Sequence, residues 1–393
     1  MEKTPIKVRE VDWDVKDDPV PRGIYPRDPR FHVVFGRFVK SMEKPIYRAM
    51  SECLKHRVVA KGLNNVARAR VLRAHWDYFN SPVALKVDAH RFEAHIGRVA
   101  LGWTHGLYRA MCSNERSVME FCLRNQLEFP VVGNFGDGTV RFKMRCRSSG
   151  DFDTGLGNTI VSVALWASYS KERGVKTRLI FDGDDGVIFL ERNDLDRFLQ
   201  DLPEWFQNMG FVMTVGEPVD VFEKVLFCAC QPVFDGKIWV MVRSPKCGFL
   251  KDLHSCTDIS EIPMRQKWLS AVGQGGIALA GDIPLYCSLY SSMLAASANA
   301  RPLNHVTLES GLLIASRMMG KDSRASGEPS MESRVSFWKA FGIQPYDQVL
   351  IENSLSKTDW LASLSSDKAD VGLTCRERID QSVRGCVDYP GLG

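Results

Sequence analysis

Residues 177–191 constrain this chain more than any other stretch. Two apolar, β-rich runs (Leu179, Ile180, Phe181 and Val187, Ile188, Phe189, Leu190) flank the tight turn Gly183-Asp184-Asp185-Gly186, a pattern that predicts a hairpin with two adjacent carboxylates at its tip. Neighbouring aspartates repel each other and would be driven toward their neutral forms unless a cation compensated them. A divalent ion fits that need, and hard oxygen ligands on an exposed turn suit Mg²⁺ or Mn²⁺ rather than zinc. Taken alone, the same residues also describe an ordinary solvated turn.

Charge is unevenly spread. Residues 19–76 hold 13 Lys and Arg against three acids, a local charge of +10 in a chain whose net charge is +4, leaving −6 for the rest. A basic lobe beside an acidic one suits a polyanion held against metal-binding carboxylates. With 393 residues, 45% hydrophobic and 25% charged, the chain is long enough for one large multi-lobed core or for two to three domains. Its 11 Cys are scattered without a CxxC pair, which fits reduced thiols in the cytosol and indicates neither a zinc ribbon nor a disulfide framework. No apolar run of 18 or more residues appears, and the first residues lack a signal-peptide core, so no direct membrane span is expected.

Along the chain, residues 1–18 read as a polar lead-in. From Pro19 to Phe31 the prolines predict an extended ribbon carrying Arg22, Arg27 and Arg30, whose planar forks can each bond two phosphate oxygens; a solvated Pro-rich loop is the alternative. Residues 33 to about 73 read as helical and basic, with Val39, Met42, Ile46 and Met50 on one face. Val83–Asp88 reads as a buried strand ending in a carboxylate, where an open sheet presents ligands or where a helix is capped. A helix is expected to run on from there through Trp103 and Leu107, and residues 112–145 read as an insertion with short strands. The glycine-rich run from Ser149 to Asn158 opens a long apolar helix, with Thr154 and Asn158 four apart on one face; by itself it is equally a glycine-rich cap. Leu195–Met209 carries a helical stripe stopped by Gly210, strands are expected over 222–233 and 237–242, helices dominate from about 250 (263–272 and 285–298 among them), and residues 321–333 and the last thirty read as polar loop and tail.

In this order the residues resemble the RNA-dependent RNA polymerases of positive-strand RNA viruses, most closely those of the tombusvirus family. Pro21–Phe31, continuing to Lys40, resembles motif F. Asp88-Ala89-His90-Arg91-Phe92-Glu93 resembles motif A, and Ser149-Gly150-Asp151-Phe152-Asp153-Thr154 through Asn158 matches Ser-Gly-xxx-Thr-xxx-Asn of motif B. Gly183-Asp184-Asp185 matches motif C, residues 210–218 resemble motif D, and Phe227–Pro232 resembles the motif E turn.

That resemblance implies an α+β right-hand polymerase fold: fingers, a palm with an antiparallel sheet, and a helical thumb. The divisions it suggests are a basic fingers segment over 1–80, palm over 81–110, a fingers insertion over 111–146, palm again over 147–235, and thumb with polar tail over 236–393. It implies template-directed transfer of ribonucleotides to an RNA 3′-hydroxyl, with two Mg²⁺ or Mn²⁺ ions held by Asp88, Asp184 and Asp185. Arg22, Arg27 and Arg30 would steady the triphosphate; Glu93, Ser149, Gly150, Thr154 and Asn158 would complete the nucleotide site. RNA template and product, ribonucleoside triphosphates, and an upstream viral replication protein tethering the chain to a host membrane are the implied partners, in a cytoplasmic replication complex.

Three features depart from the family pattern: Glu93 stands where Asp is usual, Thr214 where relatives often carry a Lys that acts as general acid, and only a short segment precedes motif F. The last implies that index-finger residues are shortened, missing or supplied by an upstream or read-through region. A reverse transcriptase would share Asp88 and the aspartate pair, but the glycine before the pair and the motif B constellation argue against it. A non-catalytic RNA-binding subunit of the same fold is the rival from another class.

Overall fold

The computed structural model describes residues 24–135, 138–253, 255, 258–304 and 312–364. The lead-in, Arg22 and the polar tail lie outside the described residues. The chain is a mixed helix and strand protein with antiparallel sheets, and it divides into two compact units. Within the described residues the first comprises 24–61 and 74–220, the second 62–73 and 221–364.

In the first unit, α1 (Pro29–Leu54) starts where Asp28 accepts a hydrogen bond from the Arg30 amide at 2.8 Å and Pro29 supplies a pre-set φ. The extended ribbon therefore ends at Asp28, and Arg30 and Phe31 are helical. Phe35, Val39, Met42 and Ile46 recur every three or four residues on the buried face of α1. The helical stretch expected to reach Arg73 is interrupted. At its end Lys55 takes φ 60, and residues 58–60 run extended before α2 (Asn65–Trp76), which belongs to the second unit through Arg73.

A four-stranded sheet centres this unit, in the order β4-β5-β1-β6, from β1 (Pro82–Ala89), β4 (Thr177–Asp182), β5 (Asp185–Glu191) and β6 (Met213–Val215). All three pairings are antiparallel. Leu85, Val87, Leu179, Phe181, Ile188 and Leu190, alternating along their strands, share one buried cluster with Val163, Trp166 and Tyr169 of the long helix and Phe198, Leu202 and Phe206 that follow the hairpin. Phe189, pointing the other way, meets His75 and Trp76 edge-on. Covered on both faces, the strands read as continuous apolar runs.

The helix expected after β1 is two pieces, α3 (Phe92–His95) and α4 (Arg98–Met111), because Gly97 becomes the cap of α4. Apolar spacing carries on across that break and does not register it. The insertion holds α5 (Arg116–Leu127), which the sequence reading lacked, before the hairpin of β2 (Phe129–Phe135) and β3 (Gly138–Met144). Motif B opens α6 (Thr154–Glu172). The stripe after the β4–β5 hairpin is α7 (Leu195–Leu199) and α8 (Leu202–Asn208), parted where Asp201 adopts φ 52.

The second unit pairs β7 (Cys230–Phe234) with β8 (Trp239–Arg243) across Gly236 at φ 100. Residues 222–224 form a 3₁₀ turn, not the start of a strand, and Cys228 and Ala229 both take positive φ between Phe227 and Cys230, which bond each other. Helices follow: α9 (Pro245–Asp252), α10 (Ile262–Ala280), α11 (Tyr286–Ala296), α12 (Leu312–Met319), α13 (Met331–Phe341), α14 (Pro345–Ser356) and α15 (Trp360–Ser363). The loop expected to end at 333 gives way to α13 at Met331, where Ser330 accepts the Ser333 amide as a cap. Trp268, Leu289, Tyr290, Phe337 and Trp360 anchor its core. The helical portion that the sequence places after 236 shares this unit with β7 and β8, which begins at Val221. Among the described residues no helix is long and apolar enough to cross a membrane.

Candidate active site

Every site residue within the described chain lies in the first unit. Asp182 and Asp185 close the hairpin as its last pair, with Gly183 at φ 75, a conformation that costs a side-chain-bearing residue free energy. Asp184 and Asp185 thus sit at the tip, half-buried. On the next strand the last pair is Val87 with Gly186, so continuing that register by one residue sets Asp88 level with Asp185, at a cross-strand spacing of about 5 Å. Asp88 is exposed, pairs with Thr214 of β6 on its other side, and turns Oδ1 to accept 2.8 Å from the Ala89 amide.

Among the described residues no three His, Cys, Asp or Glu side chains stand close enough together to hold an ion as they are placed. The donor set nevertheless has the chemistry of a hard-cation site: carboxylates on short side chains at adjoining strand ends.

The motif B helix is bonded to the tip. Thr159, fully buried, accepts 3.0 Å from the Gly183 amide and donates 2.7 Å to the Gly155 carbonyl. Sequence reasoning missed Thr159. It adjoins Asn158 and faces inward, and nothing in the local pattern distinguishes it from a helical core threonine. Asn158 donates 3.3 Å from Nδ2 to Glu93 Oε1, so the longer Glu does reach the motif B helix. Asn158 is 2% exposed, and among the described residues its Oδ1 has no partner. Thr154, by contrast, turns its hydroxyl to the Ser148 and Asp151 carbonyls at 3.1 and 2.8 Å, and so closes the loop it follows.

The motif F and motif B segments are stitched together. Tyr25 donates its amide to the Ser149 carbonyl at 2.8 Å, and Ser148 Oγ donates to the Tyr25 carbonyl at 2.7 Å. A Cβ on Gly150 (φ 120) would come within 3.2 Å of Ile24 and 3.3 Å of Pro26. Arg27 bonds Asp151 and the Asn125 carbonyl, and its guanidinium lies 3.8 Å from the Phe129 ring centroid. With 8% of its side chain exposed, Arg27 is a fastener here and does not present its fork to a ligand. Arg30 is 92% exposed and bonds its own cap, Asp28.

Beneath the loop runs a buried polar network that was not legible in the sequence. Asp153 accepts from Arg147 at 2.6 Å, Gln126 at 2.7 Å and Tyr108 at 3.0 Å, and Gln126 also bonds His105. Burial alone would raise the Asp153 pKa, but the Arg147 charge and these donors outweigh it and hold the carboxyl below its usual range. Asp151 moves the other way: burial pushes it up against the pull of Arg27. The network fixes the loop that carries Ser149 and Gly150.

One antiparallel sheet thus presents Asp88 and the aspartate pair side by side, backed by a helix that holds the turn. The sequence profile of the viral RNA dependent RNA polymerase family matches residues 1–363, and the chain belongs to that family. Among its relatives, the RNA-directed RNA polymerase of Oat chlorotic stunt virus is 36% identical over 360 residues, covering 88% of this chain and 48% of the relative. The Groundnut rosette virus enzyme is 35% identical over 349 residues (88% and 41%), and that of Turnip crinkle virus 33% over 358 (89% and 45%). The tombusvirus-type resemblance read from the motifs is borne out. The chain spans a little under half the length of these relatives.

Proposed function

We propose that the chain is the polymerase portion of a viral RNA-directed RNA polymerase, adding ribonucleotides to an RNA 3′-hydroxyl under direction of an RNA template. The observation that carries this reading is the register that sets Asp88 beside the Asp184-Asp185 tip while Thr159 ties that tip to the helix bearing Asn158. In this reading the fold is a right hand, with fingers over 1–80 and 111–146, palm over 81–110 and 147–235, and thumb from 236.

Asp88, Asp184 and Asp185 would hold two divalent ions, which when bound favour the alkoxide form of the attacking hydroxyl and offset charge on the leaving pyrophosphate. The protein supplies position. Gly183, clamped by Thr159, fixes where the two tip carboxylates point. Asn158, oriented by Glu93, offers its unpartnered Oδ1 to a ribose 2′-hydroxyl, and a buried acceptor left empty by a deoxyribose disfavours that substrate. Ser149 and Gly150 are the proposed loop contacts to the nucleotide, with Thr154 setting the loop's shape and the bare Gly150 leaving room for Ile24 and Pro26. Arg22 and Arg30 are the proposed triphosphate contacts, with Arg27 holding their segment in place. Thr214, beside Asp88, cannot act as the protonating Lys of motif D, so water or another group protonates the pyrophosphate.

The remaining partners follow from the class: template and product RNA, and an upstream viral replication protein that brings the complex to a host membrane in the cytoplasm. Incorporation of labelled GTP and dGTP on poly(C), side by side with Mg²⁺ or Mn²⁺, tests the proposal. Ribonucleotide incorporation is expected; incorporation of the deoxynucleotide instead would identify a reverse transcriptase, and incorporation of neither a binding subunit.

A further inference from the structure

Lys61 is a charge that the site as described leaves unused. It follows residues 58–60, an extended stretch that pairs in parallel with the end of β4: the Phe181 amide donates 2.9 Å to the Val58 carbonyl, and the Ala60 amide donates 2.8 Å to the Phe181 carbonyl. The chain is thereby carried past Asp182, toward the tip turn. The Lys61 ammonium lies over the first turn of α6, where a Cβ built on Gly155 would stand 2.7 Å from Nζ. Glycine at 155 leaves room for that amine.

Electrostatics make this an odd place to park a cation for stability. A helix begins with a positive partial charge, and at the start of α6 the first turn holds no acid while the cap carboxylate, Asp153, is engaged by Arg147. Glu43 of α1 bonds Lys61 at 2.9 Å but also bonds Lys40 at 2.7 Å. Two ammonium groups thus share one carboxylate. The Lys61 side chain is 36% exposed and that of Glu43 10%, so the cation, not the carboxylate, faces solvent.

We propose that Lys61 is a phosphate-binding residue of the polymerase site, with Glu43 holding it in reserve until a phosphate arrives. The inference rests on the polymerase reading above. The phosphate comes either from the RNA backbone or from the incoming triphosphate, and the two sources are separable by experiment.

Four substitutions in the full chain test it: Lys61→Met, Lys61→Arg, Gly155→Ala and Glu43→Gln. One arm measures binding of a fluorescein-labelled single-stranded oligoribonucleotide across a salt series; the other measures KM for GTP on poly(C). A backbone contact predicts that Lys61→Met lowers the slope of log K against log salt by about 0.7. A triphosphate contact predicts an unchanged slope and a raised KM for GTP. Gly155→Ala, which keeps the charge but crowds the amine, should move the same quantity in the same direction, and Lys61→Arg should restore most of it. Glu43→Gln discriminates further, because freeing the cation should tighten the affected interaction, whereas disrupting a merely structural ion pair would weaken it. Slope and KM both unchanged in Lys61→Met, with the unmodified chain binding RNA and making product, would overturn the proposal alone. An unmodified chain that neither binds nor incorporates would instead overturn the polymerase reading beneath it.

Discussion

Thr159→Val isolates the link between the motif B helix and the aspartate tip. The substitution keeps the shape of the side chain and removes one hydroxyl. Two hydrogen bonds go with it: the Gly183 amide loses its acceptor at 3.0 Å, and the Gly155 carbonyl loses a donor at 2.7 Å. The bond is only partly buried, so leaving this donor without an acceptor costs at most what a fully buried one does, about 1–3 kcal/mol. That donor belongs to the glycine between Asp182 and Asp184, so the cost is expected to appear as misplacement of the tip carboxylates. At about 1.36 kcal/mol per decade it corresponds to a loss of at most roughly 5- to 150-fold in kcat, with KM for the triphosphate and affinity for RNA unchanged. Rapid-quench measurement of a single nucleotide addition reads this directly. Thr159→Ser retains the hydroxyl and should recover most of the rate. Full activity in Thr159→Val, or a Ser variant as impaired as the Val variant, would refute the reasoning.

Asp88→Ala and Asp184→Ala should each abolish synthesis while RNA binding, measured by filter retention, stays nearly intact, because binding rests on the basic segment; synthesis by Asp184→Ala would remove that residue from the site. Asn158→Ala should lower the preference for ribonucleotides over deoxynucleotides by roughly tenfold or more, and lower it more than the maximal rate, in direct competition assays; an unchanged ratio would mean that the sugar is read elsewhere. Acid stability offers a fold-level check. Burial holds His75 down to about 3 and His105 down to about 4, so both stay neutral in the folded chain at pH values where the unfolded chain, near 6.5, takes up protons. Stability is therefore expected to fall as pH drops from about 6.5 toward 4, by up to about 1.4 kcal/mol per pH unit for each histidine. His75→Phe should flatten that limb in thermal melts recorded between pH 7 and 4.5, and an unchanged slope would contradict the assignment.

The β4–β5 hairpin and the strand bearing Asp88 were legible because each states its own geometry locally: alternating apolar residues fix the strands, and Gly183 with the acidic pair fixes the turn. Glu93 and Asn158 were legible as a pair only through the family resemblance, since 65 positions separate them and no periodicity spans that distance. The contact Arg27 makes here was not legible, for a physical reason. Its chemistry suits a phosphate, but which anion it meets depends on Asp151, 124 positions away, and on a loop whose shape comes from the Arg147–Asp153 pair. The same holds for the breaks at Gly97 and Asp201, where apolar spacing continues across a change of direction that the backbone alone decides.

A template swap tests the central claim most directly. The unmodified chain, given all four labelled ribonucleoside triphosphates one at a time, is predicted to incorporate only GMP on poly(C) and only AMP on poly(U), in each case dependent on Mg²⁺ or Mn²⁺ and lost in Asp184→Ala. Incorporation that ignores the template, or that survives in Asp184→Ala, would contradict the account.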